Sequence, residues 1–423
     1  MSERLAINGG TPVRPSGYPA WPEVDEADVE AVAAVVRSGR WGGHPVPGPI
    51  ATEFCERFAA LQGAGHGILM MNGTVTMEVA LRALDIGWGD EVIVPALTFA
   101  ATPYAVIAAG ALPVIVDVQP GTWAIDPDAV EAAITPRTRA IIPVHLGQSM
   151  ADMDRIMEIA GRHGLAVVED SAHSHGKAWK DRGAGSIGTF GSFSHQSSKI
   201  LTAGEGGTLL TNDGHLAERV ASIIDCGRPK DRDEREYTFG GNYRLSELHA
   251  ALLLSQLDKF ERQVDERAAN SLLFERLVTE AAIPGVRLLE VDPRTTRRSF
   301  WRYMFGIDPE AFGGADHELV CDALDAEGVG STVGYPSLSR DPLFQPSLSR
   351  LPVPTQFPER LDVAEMAFPV ADRAGSRESV YLDENVFRAG ADGVADAVAA
   401  IAKVQRLLPD AWRSLPTGRR PRE

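Results

Sequence analysis

Short apolar runs alternate with amphipathic stretches over residues 26–290, the pattern of helices laid over a largely parallel sheet. Apolar runs predict strands over 66–71, 91–95, 113–117, 140–144, 166–170, 188–194 and 207–211, with helices over 75–84 and 103–109 between them. Ala140-Ile141-Ile142-Pro143-Val144 and Val167-Val168-Glu169-Asp170 have no polar face, as expected of strands covered on both sides. Asp126-Pro127 before an alanine-rich run marks a helix start with proline in the first turn.

The texture changes along the rest of the chain. Residues 1–25 carry many prolines and glycines and predict an extended arm. The charged, aperiodic stretch 226–240 predicts a long surface loop, and 245–260 an amphipathic helix running into another. Beyond 290 come a strand over 301–307, a helix over 317–327, a proline-rich loop and a last helix over 395–407. The division is therefore an arm (1–25), a large α/β domain (26–290), a smaller α+β domain (291–415) and a basic, disordered tail (416–423).

Composition narrows the partners. The 423 residues carry 41 basic and 58 acidic side chains, a formal charge of −17, which argues against nucleic acid or an anionic membrane as partner. The three cysteines, Cys55, Cys226 and Cys321, are widely spaced and form no CxxC pair. That usage fits a reducing compartment and no structural zinc. No apolar segment reaches membrane-spanning length and the N-terminus carries no secretory pattern, so a cytoplasmic protein is expected.

Three junctions carry candidate chemistry. Asn72-Gly73-Thr74 ends one apolar run and opens a helix, where free N–H groups and the helix dipole favour a phosphate. An ordinary turn capped by Thr74 would read the same way. Asp170 ends a buried strand, a position suited to holding a pyridine nitrogen protonated. A helix cap or structural ion pair is the plainer alternative. His173 and His175 follow it, but no further His/Cys cluster supports a metal, and none is assigned. Lys199, within Ser192–Gly207 (SFSHQSSKILTAGEGG), sits among small residues that leave room for a flat aldehyde-bearing cofactor. Phosphate turn, carboxylate and amine together are what pyridoxal phosphate requires. The GxGxxG string at Gly183–Gly188 follows a polar segment and precedes a strand-like one, so it reads as a loop and not a dinucleotide site.

Five strings extend the pattern along most of the chain: NGTVTMEVAL (72–81), EVIVPALTFAATPYAV (91–106), EDSAHSHG (169–176), FSHQSSKILTAGEGG (193–207) and GNYRLSELHAA (241–251). In this order they resemble the DegT/StrS sugar aminotransferases, fold-type-I enzymes dependent on pyridoxal phosphate. The resemblance implies the aspartate-aminotransferase-like fold, a large mixed but mainly parallel sheet with a smaller α+β domain, and a homodimer with shared active sites. It implies Lys199 as the Schiff-base lysine, Asp170 on the pyridine nitrogen and His173 beside the phenolic oxygen. Phe99 would stack on the ring, and Gly73, Thr74 and Ser194 would hold the phosphate with Asn242 of the other subunit.

Gln196, where many nucleotide-sugar members carry histidine, resembles the branch acting on carbocycles. The opening AINGGTPVR resembles the inosose aminotransferases of aminoglycoside pathways. His195 and Ser198 depart from that branch. The function so implied is amino transfer from L-glutamine or L-glutamate to a cyclic ketone such as scyllo-inosose or 2-deoxy-scyllo-inosose, in aminocyclitol antibiotic biosynthesis. The alternatives are a nucleotide-linked keto-sugar acceptor, for which Arg297, Arg298 and Arg302 are candidate contacts, and a 3-amino-5-hydroxybenzoate synthase-like aminotransferase and dehydratase.

Overall fold

The computed structural model describes residues 3–42, 47–229 and 238–411. Part of the loop expected over 226–240, and all of the tail 416–423, lie outside the described residues. Seven strands form the main sheet: β1 (His66–Met70), β2 (Glu91–Pro95), β3 (Leu112–Val116), β4 (Thr138–Ile141), β5 (Ala166–Asp170), β6 (Phe190–Ser194) and β7 (Gly207–Thr211). Their order is β1-β7-β6-β5-β4-β2-β3. β7 runs antiparallel to both β1 and β6, and every other neighbouring pair is parallel. The sheet is thus mixed and mainly parallel, as expected.

Alternate residues serve alternate faces. Val92, Val94, Val168 and Leu209 join one apolar cluster with the helices Gly73–Ala83 and Gly214–Ile224. Ile93, Ile141 and Val167 join another with the helix Met153–His163. Because both faces are covered, the strands read as unbroken apolar runs. The parallel strands therefore all deliver their last residues to one edge, where the cavity described below opens.

A single 35-residue helix, Glu247–Ala281, replaces the two expected from residue 245 onward. No glycine or proline interrupts those residues, so nothing in the backbone favours a break. Its first half packs on Phe54 and Phe58 beside the main sheet. Phe274 and Val278, near its other end, enter a second core. That core lies against an antiparallel sheet of β8 (Val286–Leu288), β9 (Arg302–Ile307), β10 (Ser331–Val333) and β11 (Ser379–Asp383), in the order β8-β9-β11-β10.

The N-terminal residues pack against this second core instead of extending freely. Leu5 is buried within it. The buried carboxylate of Glu327 accepts from the amides of Ala6 (2.8 Å) and Val13 (3.0 Å) and from Lys403 Nζ (2.8 Å). The Gly183–Gly188 string is a loop, as expected, and its chemistry is internal: Gly185, Ile187 and Gly188 donate their amides to the buried Glu169 carboxylate. Gly191 must lack a side chain because a Cβ there would lie 2.1 Å from the Gly185 carbonyl oxygen. Among the described residues no helix is long and apolar enough to cross a membrane.

Candidate active site

At the carboxyl edge of the main sheet a cavity of about 550 Å³ brings together Gly73, Thr74, Phe99, Asp170, His173, Ser194 and Lys199. Seven of the eight residues singled out in the sequence share this space. Asn242 does not. It is exposed, and its backbone bridges to Asp225 away from the cavity.

The helix Gly73–Ala83 starts at the cavity wall. Asn72 caps it, its side-chain oxygen accepting from Val75 N at 2.9 Å, while its carbonyl accepts from Thr76 N at 3.2 Å. The amides of Gly73 and Thr74, at the first two helical positions, have no intrahelical acceptor and are free for an anion. A Cβ on Gly73 would lie 2.8 Å from Ser194 Cβ, so only glycine brings the helix start this close to the end of β6.

Asp170 ends β5. Its carboxylate accepts from Thr102 Oγ1 at 2.8 Å and from the Ala172 amide at 3.2 Å. Thr102 spends its proton on Asp170 and therefore accepts from Thr98 Oγ1, 2.8 Å away. Burial raises the Asp170 pKa above the usual carboxylate value, against the pull of these donors and of Lys199. A cation placed against it would hold it ionised.

Lys199 is buried beside the same space. Desolvation depresses its ammonium to about 7; Asp170 opposes the shift and Arg302 adds to it. A neutral amine is thus accessible near neutral pH, which a nucleophilic lysine needs. Its Nζ lies 4.2 Å from the centroid of the Trp301 ring. Trp301 in turn donates its indole N–H to the Ser198 carbonyl at 2.6 Å, tying the lysine loop to the second sheet. His195 secures that loop from inside, with Nδ1 3.0 Å from the Leu201 carbonyl and Nε2 2.8 Å from Thr208 Oγ1. The carbonyl must accept, so Nδ1 carries the proton and Nε2 accepts from Thr208.

His173 is held neutral, its pKa pushed well below normal by burial and then by Lys199. His175 does not line the cavity. It is buried against Phe193 and His195. Among the described residues no cluster of three or more His, Cys, Asp or Glu side chains is arranged for a metal.

Trp301 and Tyr335 also line the cavity, their rings 6.3 Å apart and within 15° of parallel. The sequence places Trp301 only at the start of a strand and offers Tyr335, in VGYPSL, as a pocket-shaping candidate without an assigned contact. Tyr335 does sit among small residues, Gly334-Tyr335-Pro336-Ser337, whereas Trp301 follows Phe300 and lacks that signal. Arg297, Arg298 and Arg302 are not among the lining residues. Arg298 pairs with Glu275, and Arg302 with Asp383 at 3.0 Å.

Residues 22–376 match the DegT/DnrJ/EryC1/StrS aminotransferase family. A protein of Streptoalloteichus tenebrarius, provisionally named L-glutamine:3-amino-2,3-dideoxy-scyllo-inosose aminotransferase, is 42% identical over 96% of this chain and 99% of its own. The L-glutamine:2-deoxy-scyllo-inosose aminotransferase of the same organism is 36% identical over 96% and 98%. The crystal structure of 3-amino-5-hydroxybenzoic acid synthase superposes with a TM-score of 0.81 at 34% identity, covering 92% of this chain and 98% of that one. With a matched region that covers the main sheet, three of the four strands of the second and every residue lining the cavity, the chain belongs to the DegT/DnrJ/EryC1/StrS aminotransferase family, and it is an aminotransferase.

Proposed function

We propose that this aminotransferase uses pyridoxal phosphate to move an amino group from L-glutamine or L-glutamate to a ketone on a polyhydroxylated carbocycle, scyllo-inosose or its 2-deoxy form. The observation that carries the choice of acceptor is the cavity's charge. Lys199 is the only lysine or arginine lining it among the described residues. A nucleotide diphosphate would find no arginine there and only the lysine committed to the cofactor, whereas a neutral polyol can use the uncharged polar groups of Gln196 and Ser198.

The residues fit the cofactor. The free amides of Gly73 and Thr74, with the Thr74 and Ser194 hydroxyls, suit its phosphate. Asp170 suits the ring nitrogen, His173 the ring hydroxyl, and the exposed Phe99 ring one face. Asn242, remote from this cavity, is assigned to the phosphate of the other subunit in a cytoplasmic homodimer. Bound there, the cofactor supplies an aldehyde and an electron-withdrawing ring. Lys199 Nζ removes and returns the proton at the substrate carbon, and the Asp170 carboxylate holds the positive ring nitrogen. The same reading keeps a cofactor-binding part over 26–290 and a smaller part over 291–415. The strand Val286–Leu288 of the second sheet falls just before that seam.

A half-reaction assay tests the acceptor. Enzyme loaded with amino group from L-glutamine should turn over with scyllo-inosose or its 2-deoxy form and not with a keto nucleotide-sugar. Turnover with the nucleotide-sugar alone would overturn the assignment. The likeness to 3-amino-5-hydroxybenzoic acid synthase favours a second reading, amination coupled to loss of water. Release of an aromatic amine in the same assay would identify it.

A further inference from the structure

Lys177 is buried in the interior, with 1% of its surface exposed, yet its ammonium pairs with no carboxylate among the described residues. Its Nζ donates to the carbonyls of Gly147 at 2.7 Å and Ser149 at 3.0 Å. Desolvation alone depresses its ammonium to about 7. The neutral amine keeps two N–H groups, enough for the two carbonyls, so the contact survives in either protonation state. An apolar side chain would leave both buried carbonyls without this donor.

The turn it grips, Leu146–Ser149, has two further attachments. Gln148 exchanges hydrogen bonds with the backbone of Met304 in β9: Nε2 donates to its carbonyl at 2.6 Å and Oε1 accepts its amide at 2.8 Å. Gly147, at φ +52°, lies so near Met304 that a Cβ would come within 2.7 Å of the Met304 Cγ. On the cavity side, Gly147 donates its amide to His173 Nδ1 at 3.4 Å. With Nδ1 accepting, the neutral ring carries its proton on Nε2, which lies 3.3 Å from the Tyr335 hydroxyl. One turn therefore joins the second sheet to a histidine of the cavity, and Lys177 pins it from beneath.

We infer that Lys177 is a positioning residue for amino transfer: by clamping the Leu146–Ser149 turn, it keeps the Gly147 amide on His173 and fixes that ring as the Nε2–H tautomer facing Tyr335 and the cavity. The inference rests on the reading of this cavity as the active site, and its first readout is independent of substrate. In cofactor-free protein with ¹⁵N-labelled histidine, His173 should appear at pH 7 as the neutral Nε2–H form, identified by loss of its signals in His173→Gln. A wild-type His173 that is charged or protonated on Nδ1 would overturn the inference without any Lys177 variant.

Lys177→Met should fold and bind cofactor, but show His173 as a mixture of tautomers. Its kcat should fall about 10- to 100-fold with KM changed less than about twofold. Lys177→Gln, which retains donors on a shorter arm, should recover part of both and is read the same way if Lys177→Met does not fold. A wild-type tautomer signature in a folded variant refutes the clamp, whatever happens to kcat. Activity persisting in Lys199→Ala would instead refute the active-site reading and leave the tautomer result standing.

Discussion

Lys403 in the C-terminal helix and Lys199 at the cavity are both buried, but their surroundings differ in kind. Lys403 Nζ meets the Glu327 carboxylate and the Thr11 carbonyl, each at 2.8 Å, and Glu327 is completed by two amides of the arm. Around Lys199 the immediate neighbour of the amine is an aromatic face, and the Asp170 carboxylate is occupied by Thr102 and Ala172. In the first region buried charge is matched group for group, so it cross-links the arm, the C-terminal helix and the end of the helix His317–Ala326. In the second it is left short of partners, so the amine loses its proton near pH 7 and the carboxyl resists losing its own. The contrast separates a joint from a reactive site by hydrogen bonding alone.

The strongest way to break that contrast is Lys199→Ala. Transamination should fall by about 10³-fold or more, with Tm little changed, because the lysine anchors no network. Near-wild-type turnover would sink the assignment. Asp170→Asn keeps the Thr102 contact but cannot hold a positive ring nitrogen ionised, and kcat should drop about 10²-fold. Cofactor absorbance and single-turnover rates check it, and an unchanged rate would show that the carboxylate is only structural.

The joint should respond in stability and not in chemistry. Glu327→Ala strands the buried Lys403 ammonium and two amides, a loss of about 3–5 kcal/mol. Urea unfolding should register it, while kcat per folded enzyme stays within about twofold. If activity fell and stability held, the two regions would not be distinct.

The last contrast concerns pH. Lys199 and Lys177 both titrate at about 7 in the folded, cofactor-free protein. An unfolded lysine titrates near about 10.4. Between these values the unfolded chain binds more protons, so these two groups make stability rise with pH from about 7 to about 10 and contribute no slope below or above. Amine-selective labelling of Lys199, followed by mass spectrometry, should accordingly show a midpoint near about pH 7. A midpoint above about 9 would mean the lysine is solvated.

Much of this was legible in the chain because local causes produced it. Apolar runs gave all seven strands of the main sheet to within a few residues, and strings of small residues at strand ends pointed to Gly73, Asp170, Ser194 and Lys199. Helix length was not legible past residue 260, since amphipathicity alone does not say where an uninterrupted helix turns from one core to the next. The GxGxxG string was legible as a loop, but not as the cradle of Glu169, because its partner is a strand residue fourteen positions before the string begins.

By itself the sequence determined the alternating architecture, the edge of the sheet where chemistry collects and the residue types that gather there, all set by periodicity and by short-range turn and cap chemistry. Tertiary structure alone decided that Trp301 walls the cavity, that Lys177 reaches under a turn some 30 residues earlier and that Glu327 receives the N-terminal arm. Those pairings join segments far apart in the chain. They depend on which buried donors and acceptors are left over once the strands and helices have packed, a balance that no local pattern records.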